Sequence, residues 1–194
     1  YTKDKEFKTE FENILKRAKS DIKGVSKIVE NIIDEIVEDG NEALKRHIEK
    51  FDKWIVKSDD ELLISQDSMK KAYETLDESL KKSLHIAYER IKSYHEKQLP
   101  KSWIDFEENG TILGQKVTAV DKAGLYIPGG KAAYPSSLLM NAIPAIVAGV
   151  EEIVVCTPTP NNEVNELLLA ACHLCGVSKV YKVGGASAIA AMAY

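Results

Sequence analysis

Gly124-Leu125-Tyr126-Ile127-Pro128-Gly129-Gly130-Lys131 is the stretch on which the fold turns, with Ala132-Ala133-Tyr134-Pro135-Ser136-Ser137 directly after it. A β-rich run, Ala123–Ile127, ends in a Pro-Gly-Gly turn, and a helix is predicted to begin near Ser136. The pattern then repeats. Ile153–Cys156 and Lys179–Val183 are further β-rich runs, separated from the first and from each other by helical segments at Ser136–Gly149 and Glu163–Leu174. Pro144 is expected to bend or shorten the first of these helices, because it has no N–H to donate and its ring crowds the preceding turn. Strand, helix, strand, helix, strand with short links predicts right-handed parallel βαβ units. The strands are nearly continuous apolar runs, as expected of a sheet covered by helices on both faces. The expected fold class is therefore α/β, a parallel βαβαβ sheet preceded by a helix-rich N-terminal region.

Outward from that stretch the composition changes sharply. Of the 26 Lys/Arg and 30 Asp/Glu, residues 1–110 hold 21 and 25, and residues 111–194 hold 5 and 5. This places a boundary near Asn109-Gly110, giving residues 1–110 as a helix-rich region and residues 111–194 as the sheet-bearing one. Within the first, Val25, Ile28, Val29, Ile32, Ile33, Ile36 and Val37 recur at helical spacing and stop at Gly40. Asn41 is a candidate N-cap for a short helix carrying Leu44, Ile48 and Phe51 on one side. Leu62-Leu63-Ile64 is a brief strand candidate, and Ser65 to Lys97 predicts one or two helices with Met69, Tyr73, Leu76, Leu80, Leu84, Tyr88, Ile91 and Tyr94 inward. Thr111 to Val120 alternates as a strand or hairpin would. A last helix is expected from Ala186 to Tyr194. Its apolar, uncapped end and the initial Tyr1 read as an excerpt of a longer protein.

A chain of 194 residues with formal net charge −4 and no Lys/Arg cluster is a poor partner for nucleic acid, which demands a concentrated basic face. No apolar run reaches the roughly 18–20 residues needed to span a bilayer, and residues 1–20 lack the apolar core of a secretory leader. The expected location is cytoplasmic. Cys172 and Cys175 form a C-x-x-C, but near the end of a helix and with no second pair, so small buried apolar residues are expected rather than a redox or zinc centre.

The Gly-rich turns carry the chemistry that is visible. Ligands of open α/β sheets bind outside the carboxyl ends of the strands, and the free N–H groups of a helix start favour anions such as a pyrophosphate. Gly184-Gly185 follows the third strand in the same way. Neither stretch matches G-x-G-x-x-G or a P-loop, so a ligand cradle and a tight structural turn both remain open. A phosphotransferase would lack the P-loop Lys-Ser/Thr. Tyr126 has a stacking and a core reading, Lys131 a phosphate-pairing and an exposed-turn reading, and Phe51-Asp52 reads as packing plus a cap. His47, His85, His95 and His173 have no second histidine or cysteine at i+3 or i+4, so no metal site is expected. No nucleophile–base pair or carboxylate dyad stands out, and no catalytic residue is assigned.

Taken together, Gly124 through Met140 with Pro144-Ala145, Val154-Val155-Cys156-Thr157-Pro158, Cys175-Gly176-Val177 and Val183-Gly184-Gly185-Ala186 with Ala188-Ile189-Ala190-Ala191 closely resemble the histidinol dehydrogenase family. Upstream, Gly40-Asn41-Glu42-Ala43-Leu44 and Phe51-Asp52-Lys53 resemble its N-terminal region. The resemblance implies an incomplete Rossmann-like domain over 111–194, a dimerisation extension within 1–110, and an intertwined homodimer. It implies NAD-dependent oxidation of L-histidinol to L-histidine through an aldehyde, the last step of histidine biosynthesis, with zinc anchoring the substrate. Tyr126 would contact NAD, Pro128, Gly129 and Gly130 would form the loop beside it, and Phe51 would line the same pocket. Ser187 stands where the family usually has a glutamine that contacts NAD, a shorter side chain for that role. The family's zinc ligands and catalytic Glu-His pair would fall outside this chain, which is about half the family length. The chain alone is then expected to be inactive. The competing expectation is a non-catalytic nucleotide-binding or interaction module.

Overall fold

The computed structural model describes Thr2, Asp4, residues 6–129 and residues 134–194, with side chains throughout except at 16–23. Gly130 and Lys131, both named above, lie outside the described residues.

The chain begins with a long helix, α1 (Phe7–Asp39), followed at once by α2 (Asn41–Asp52). Gly40 joins them without a loop. Its φ of 56° lies in the region that glycine enters freely, and its N–H still closes on Ile36 O at 2.9 Å. Gly40 thus holds the cap position expected of Asn41, which is instead the first helical residue and donates through its side-chain amide to Asp59 at 2.8 Å. The apolar stripe of α1 is only partly covered. Ile36 is buried, while Val25, Ile28 and Val37 are exposed; among the described residues α1 packs chiefly on α2 and on the last helix.

After the short strand β1 (Leu63–Ile64), α3 (Gln66–Thr75) and α4 (Glu78–Glu96) divide the long helical run. Each is opened by a side-chain cap: Ser65 Oγ accepts from Ser68 N at 3.1 Å, and Asp77 accepts from Ser79 N at 2.8 Å. Of the residues expected inward, Met69 and Leu84 are buried, whereas Leu80 and Tyr94 are exposed. β2 (Trp103–Phe106) and β3 (Ile112–Gln115) pair antiparallel as a separate two-stranded sheet. The compositional step at Asn109-Gly110 coincides with the tip of this hairpin.

The main sheet follows the expected rhythm. β4 (Lys122–Tyr126), α5 (Pro135–Ala148), β5 (Glu152–Cys156), α6 (Glu166–Leu174), β6 (Lys179–Tyr181) and α7 (Gly185–Ala193) succeed one another. Pro144 does not shorten α5, which runs through it to Ala148. β4, β5 and β6 are parallel, and β1 adds antiparallel to β6, giving the order β1-β6-β5-β4. The class is α/β with a mostly parallel sheet.

Alternation along β5 sends its side chains to opposite faces. Ile153 and Val155 enter one apolar cluster with Met69, Leu138, Ile143, Cys172 and Val180. Cys156 enters the other with Leu44, Ile48, Trp54, Leu62, Val183 and Ala188. Both clusters draw on residues before and after 110, so α2, α3 and the parallel strands are held as one packed body. Each large side chain buried here contributes about 1.5–3 kcal/mol of transfer free energy. α7 is half covered: Ala188 and Ala190 are buried, while Ile189 is exposed, as is Tyr194 just past its end. No helix among the described residues is long and apolar enough to cross a membrane.

Candidate cofactor site

The loops that leave the carboxyl ends of β4, β5 and β6 meet at Pro158. A β-carbon on Gly129 would lie 2.7 Å from Pro158 O, and one on Gly184 would lie 2.5 Å from Pro158 Cβ. Both glycines are therefore present because a proline is wedged between their backbones. The β5 loop is further fixed from α2. The buried carboxylate of Asp52 accepts from Thr159 N at 3.0 Å. At its far side, Lys182 Nζ donates to Asn162 Oδ1 at 2.9 Å and sits 4.6 Å above the Trp54 ring.

Beside this junction lies a cleft of about 330 Å³ between α1, α2 and the start of α7. Ile28, Ile32 and Ile48 give it an apolar wall, and His47, Phe51, Asp52, Pro158, Gly184-Gly185 and Ser187 line the rest. Phe51 is 54% exposed, so its ring is open to a stacking partner rather than committed to the core. Tyr126, half-buried at the end of β4, sends its hydroxyl to accept from Gly185 N at 3.2 Å. That amide is one of the first-turn donors of α7. Those of Ala186 and Ser187, next along the turn, also have no acceptor within the helix. Ser187 itself is buried at 3% exposure, with its Oγ 2.8 Å from His47 Nδ1, and His47 Nε2 lies 2.8 Å from Glu35.

Of the residues expected at a cofactor site, Phe51 and Ser187 line the cleft, Tyr126 touches its rim through Gly185, and Gly129 packs on Pro158. Pro128 is exposed and is not part of the lining. His47, Glu35 and Asp52 join the site without having been expected there from the sequence. The available signal is the placement of two polar residues, His47 and Asp52, among the buried positions of a short helix. The three cysteines are free and buried. Burial pushes the Cys156 thiol up to about 11 and the Cys175 thiol up to about 12, and raises Cys172 as well, so none offers a thiolate at neutral pH. They pack as small apolar side chains, as the sequence predicts.

An apolar slot with an aromatic ring on one side and a helix start on the other offers a stacking face and N–H donors, the two kinds of contact that part of a dinucleotide would use. A zinc ion finds no such fit, because among the described residues no three His, Cys, Asp or Glu side chains come together.

The family model for histidinol dehydrogenase matches residues 15–194. The chain belongs to the histidinol dehydrogenase family. It is 70% identical over 193 residues to the histidinol dehydrogenase of Sulfurimonas denitrificans, covering 100% of this chain and 45% of that protein. It is 67% identical to that of Wolinella succinogenes, over 97% of this chain and 44% of that protein. A crystal structure of histidinol dehydrogenase from Elizabethkingia anophelis is similar with a TM-score of 0.79 and 30% identity, over 87% of this chain and 38% of that one. The chain thus spans somewhat less than half the length of these histidinol dehydrogenases.

Proposed function

We propose that this chain is the cofactor-holding part of an NAD-dependent histidinol dehydrogenase, which oxidises L-histidinol to L-histidine through the aldehyde in histidine biosynthesis. The observation that carries the reading is the convergence of Phe51, Ser187, the Gly184-Gly185 turn and the Tyr126 hydroxyl on one cleft at the carboxyl ends of the parallel strands. NAD, when bound, supplies the hydride acceptor. The residues of this chain bind and orient it. Phe51 offers a ring face for stacking, the first turn of α7 offers N–H donors to a pyrophosphate, and Tyr126 holds Gly185 so that the turn keeps its shape. Gly129 and Pro128 supply the backbone beside Tyr126, with Gly130 next in sequence.

No residue here is placed as the acid–base or zinc-binding machinery, and we assign none. The 194-residue chain alone is expected to form no NADH from L-histidinol, with or without added zinc. Zinc-dependent NADH formation would refute that expectation. Within the enzyme, residues 111–194 would form the incomplete Rossmann-like domain, and residues 1–110 would supply α2 to it and α1 to a dimer. Exposed apolar residues along α1 (Phe11, Ile14, Leu15, Val25 and Ile28) support self-association, which sedimentation of the chain tests. A biosynthetic role and the absence of a membrane-crossing helix among the described residues are consistent with a cytoplasmic enzyme.

The deciding experiment is a titration of NAD into the chain and into Tyr126→Ala. Removing the ring and its hydroxyl releases Gly185 N and opens the side of the cleft, and about a tenfold loss of affinity corresponds to the worth of one such anchored contact. Equal binding by the two proteins would remove Tyr126 from the site.

A further inference from the structure

Glu35 on α1, His47 on α2 and Ser187 on α7 form a single hydrogen-bonded chain through the wall of the cleft, with both links at 2.8 Å. His47 and Ser187 are buried, whereas the Glu35 side chain is 50% exposed. The imidazole is also flanked by the Phe51 ring, 6.1 Å away between centroids and tilted by 58°. Its position is therefore defined by two hydrogen bonds and a ring contact, more than core packing alone requires.

With the imidazole neutral, the donors and acceptors in this chain are assigned. A carboxylate only accepts, so a neutral imidazole bonded to it carries its hydrogen on Nε2. Nδ1 is then a lone pair, and Ser187 donates its one O–H to it. What remains on Ser187 Oγ is acceptor capacity alone. Without the imidazole, a serine in the first turn of a helix turns its hydroxyl to whichever neighbouring backbone group is free. With it, the rotor is fixed.

Building on the cofactor reading above, we propose that Glu35 and His47 are positioning residues that fix Ser187 as a hydrogen-bond acceptor toward the cleft. Position 187 thereby selects a neutral donor of the bound dinucleotide, a ribose hydroxyl or the carboxamide N–H. A single short side chain gains by this relay the defined polarity that a longer amide would carry in itself.

The test uses the chain with NAD as the probe and Glu35→Gln as the principal variant. Glutamine keeps the size of a half-exposed side chain but can present either an oxygen or an N–H to Nε2, so the imidazole is no longer constrained. Nitrogen-15 shifts of His47 are expected to report the Nε2–H tautomer in the wild type and a mixture in E35Q. NAD binding should weaken about three- to tenfold in E35Q and about tenfold in Ser187→Ala, the worth of one oriented hydrogen bond. The double variant should bind no more weakly than S187A, because both changes remove the same contact. A purely structural role for Glu35 would leave both the tautomer and the affinity unmoved. Nδ1–H in the wild type, in the other tautomer or in an imidazolium, overturns the proposal, as does wild-type NAD binding that E35Q leaves unchanged. A wild-type chain that does not bind NAD overturns the cofactor reading and this proposal together.

Discussion

Gly184→Val is expected to cost about 1–3 kcal/mol of folding stability and to abolish NAD binding by what remains folded. The backbone of Gly184 is ordinary, with φ −116° and ψ 173°, so no conformational strain is involved. The cost is steric. A β-carbon at 184 would lie 2.5 Å from Pro158 Cβ and 3.0 Å from Pro158 Cα, and the second of these is backbone. Pro158 has nowhere to withdraw, since its carbonyl oxygen already occupies the space a β-carbon on Gly129 would need, at 2.7 Å. It is also followed by Thr159, which is fully buried and tied to Asp52. The start of α7 must then move, taking the Gly185 amide from Tyr126 and Ser187 from His47. Gly24→Ala is the contrasting control. It lies inside α1, where an added methyl would meet nothing within 4 Å, and should stabilise by about 0.5–1 kcal/mol through helix propensity. Urea unfolding of the three proteins, followed by NAD titration, reads both effects. G184V unfolding at the wild-type midpoint would show that the three loops are not wedged as described.

What is legible in the sequence, and what is not, follows from the range of the interactions involved. The parallel strands and the helices between them are local signals, apolar runs bounded by Gly, Pro and Asn, and they appear within a few residues of their predicted ends. α1 extends back to Phe7, well before the expected stripe: Phe7, Phe11, Ile14 and Leu15 continue the helical spacing toward the N-terminus, and the last three stay exposed. β2 is missing from the sequence reading. All four of its residues are exposed, as are those of its partner β3. β1 is visible as a strand, but its antiparallel place beside β6 depends on a partner more than 110 residues away, Leu63 facing Tyr181.

The site divides along the same line. Tyr126, Gly129 and Phe51 sit in recognisable local motifs, whereas the polar network does not. His47 has no neighbour at i+3 or i+4 that would mark it as a metal ligand, and its partner Ser187 is 140 residues further on. Asp52 reads locally as a helix end, yet its acceptor role is spent on an amide 107 residues away. Pairings at such distances are set by topology, and one sequence contains no trace of them until the strand order is known.

Asp52→Ala is accordingly expected to be the most damaging truncation of a polar side chain in the site. It leaves Thr159 N–H buried with no acceptor, at a residue whose Oγ1 already has no partner, and an orphaned buried donor costs about 1–3 kcal/mol. Because Thr159 follows Pro158, the variant should also loosen the wedge between Gly129 and Gly184 and weaken NAD binding. Asp52→Asn separates the hydrogen bond from the charge. Burial pushes the Asp52 carboxyl above its ordinary value of 3.8, outweighing the bond from Thr159 that pulls it down. A group whose pKa is higher folded than unfolded binds its proton more tightly in the native state. Its contribution to stability is therefore fully present below the unfolded value and is lost as pH rises through the folded one. The neutral amide has no such dependence. The stability of D52N relative to the wild type should thus shift in favour of the variant as pH rises from about 4 toward 7, while D52A remains the least stable at neutral pH. Urea midpoints for the three proteins across that range measure it. A D52N difference that does not change with pH would mean that the Asp52 carboxylate is solvated, and that the β5 loop is not anchored through a buried charge.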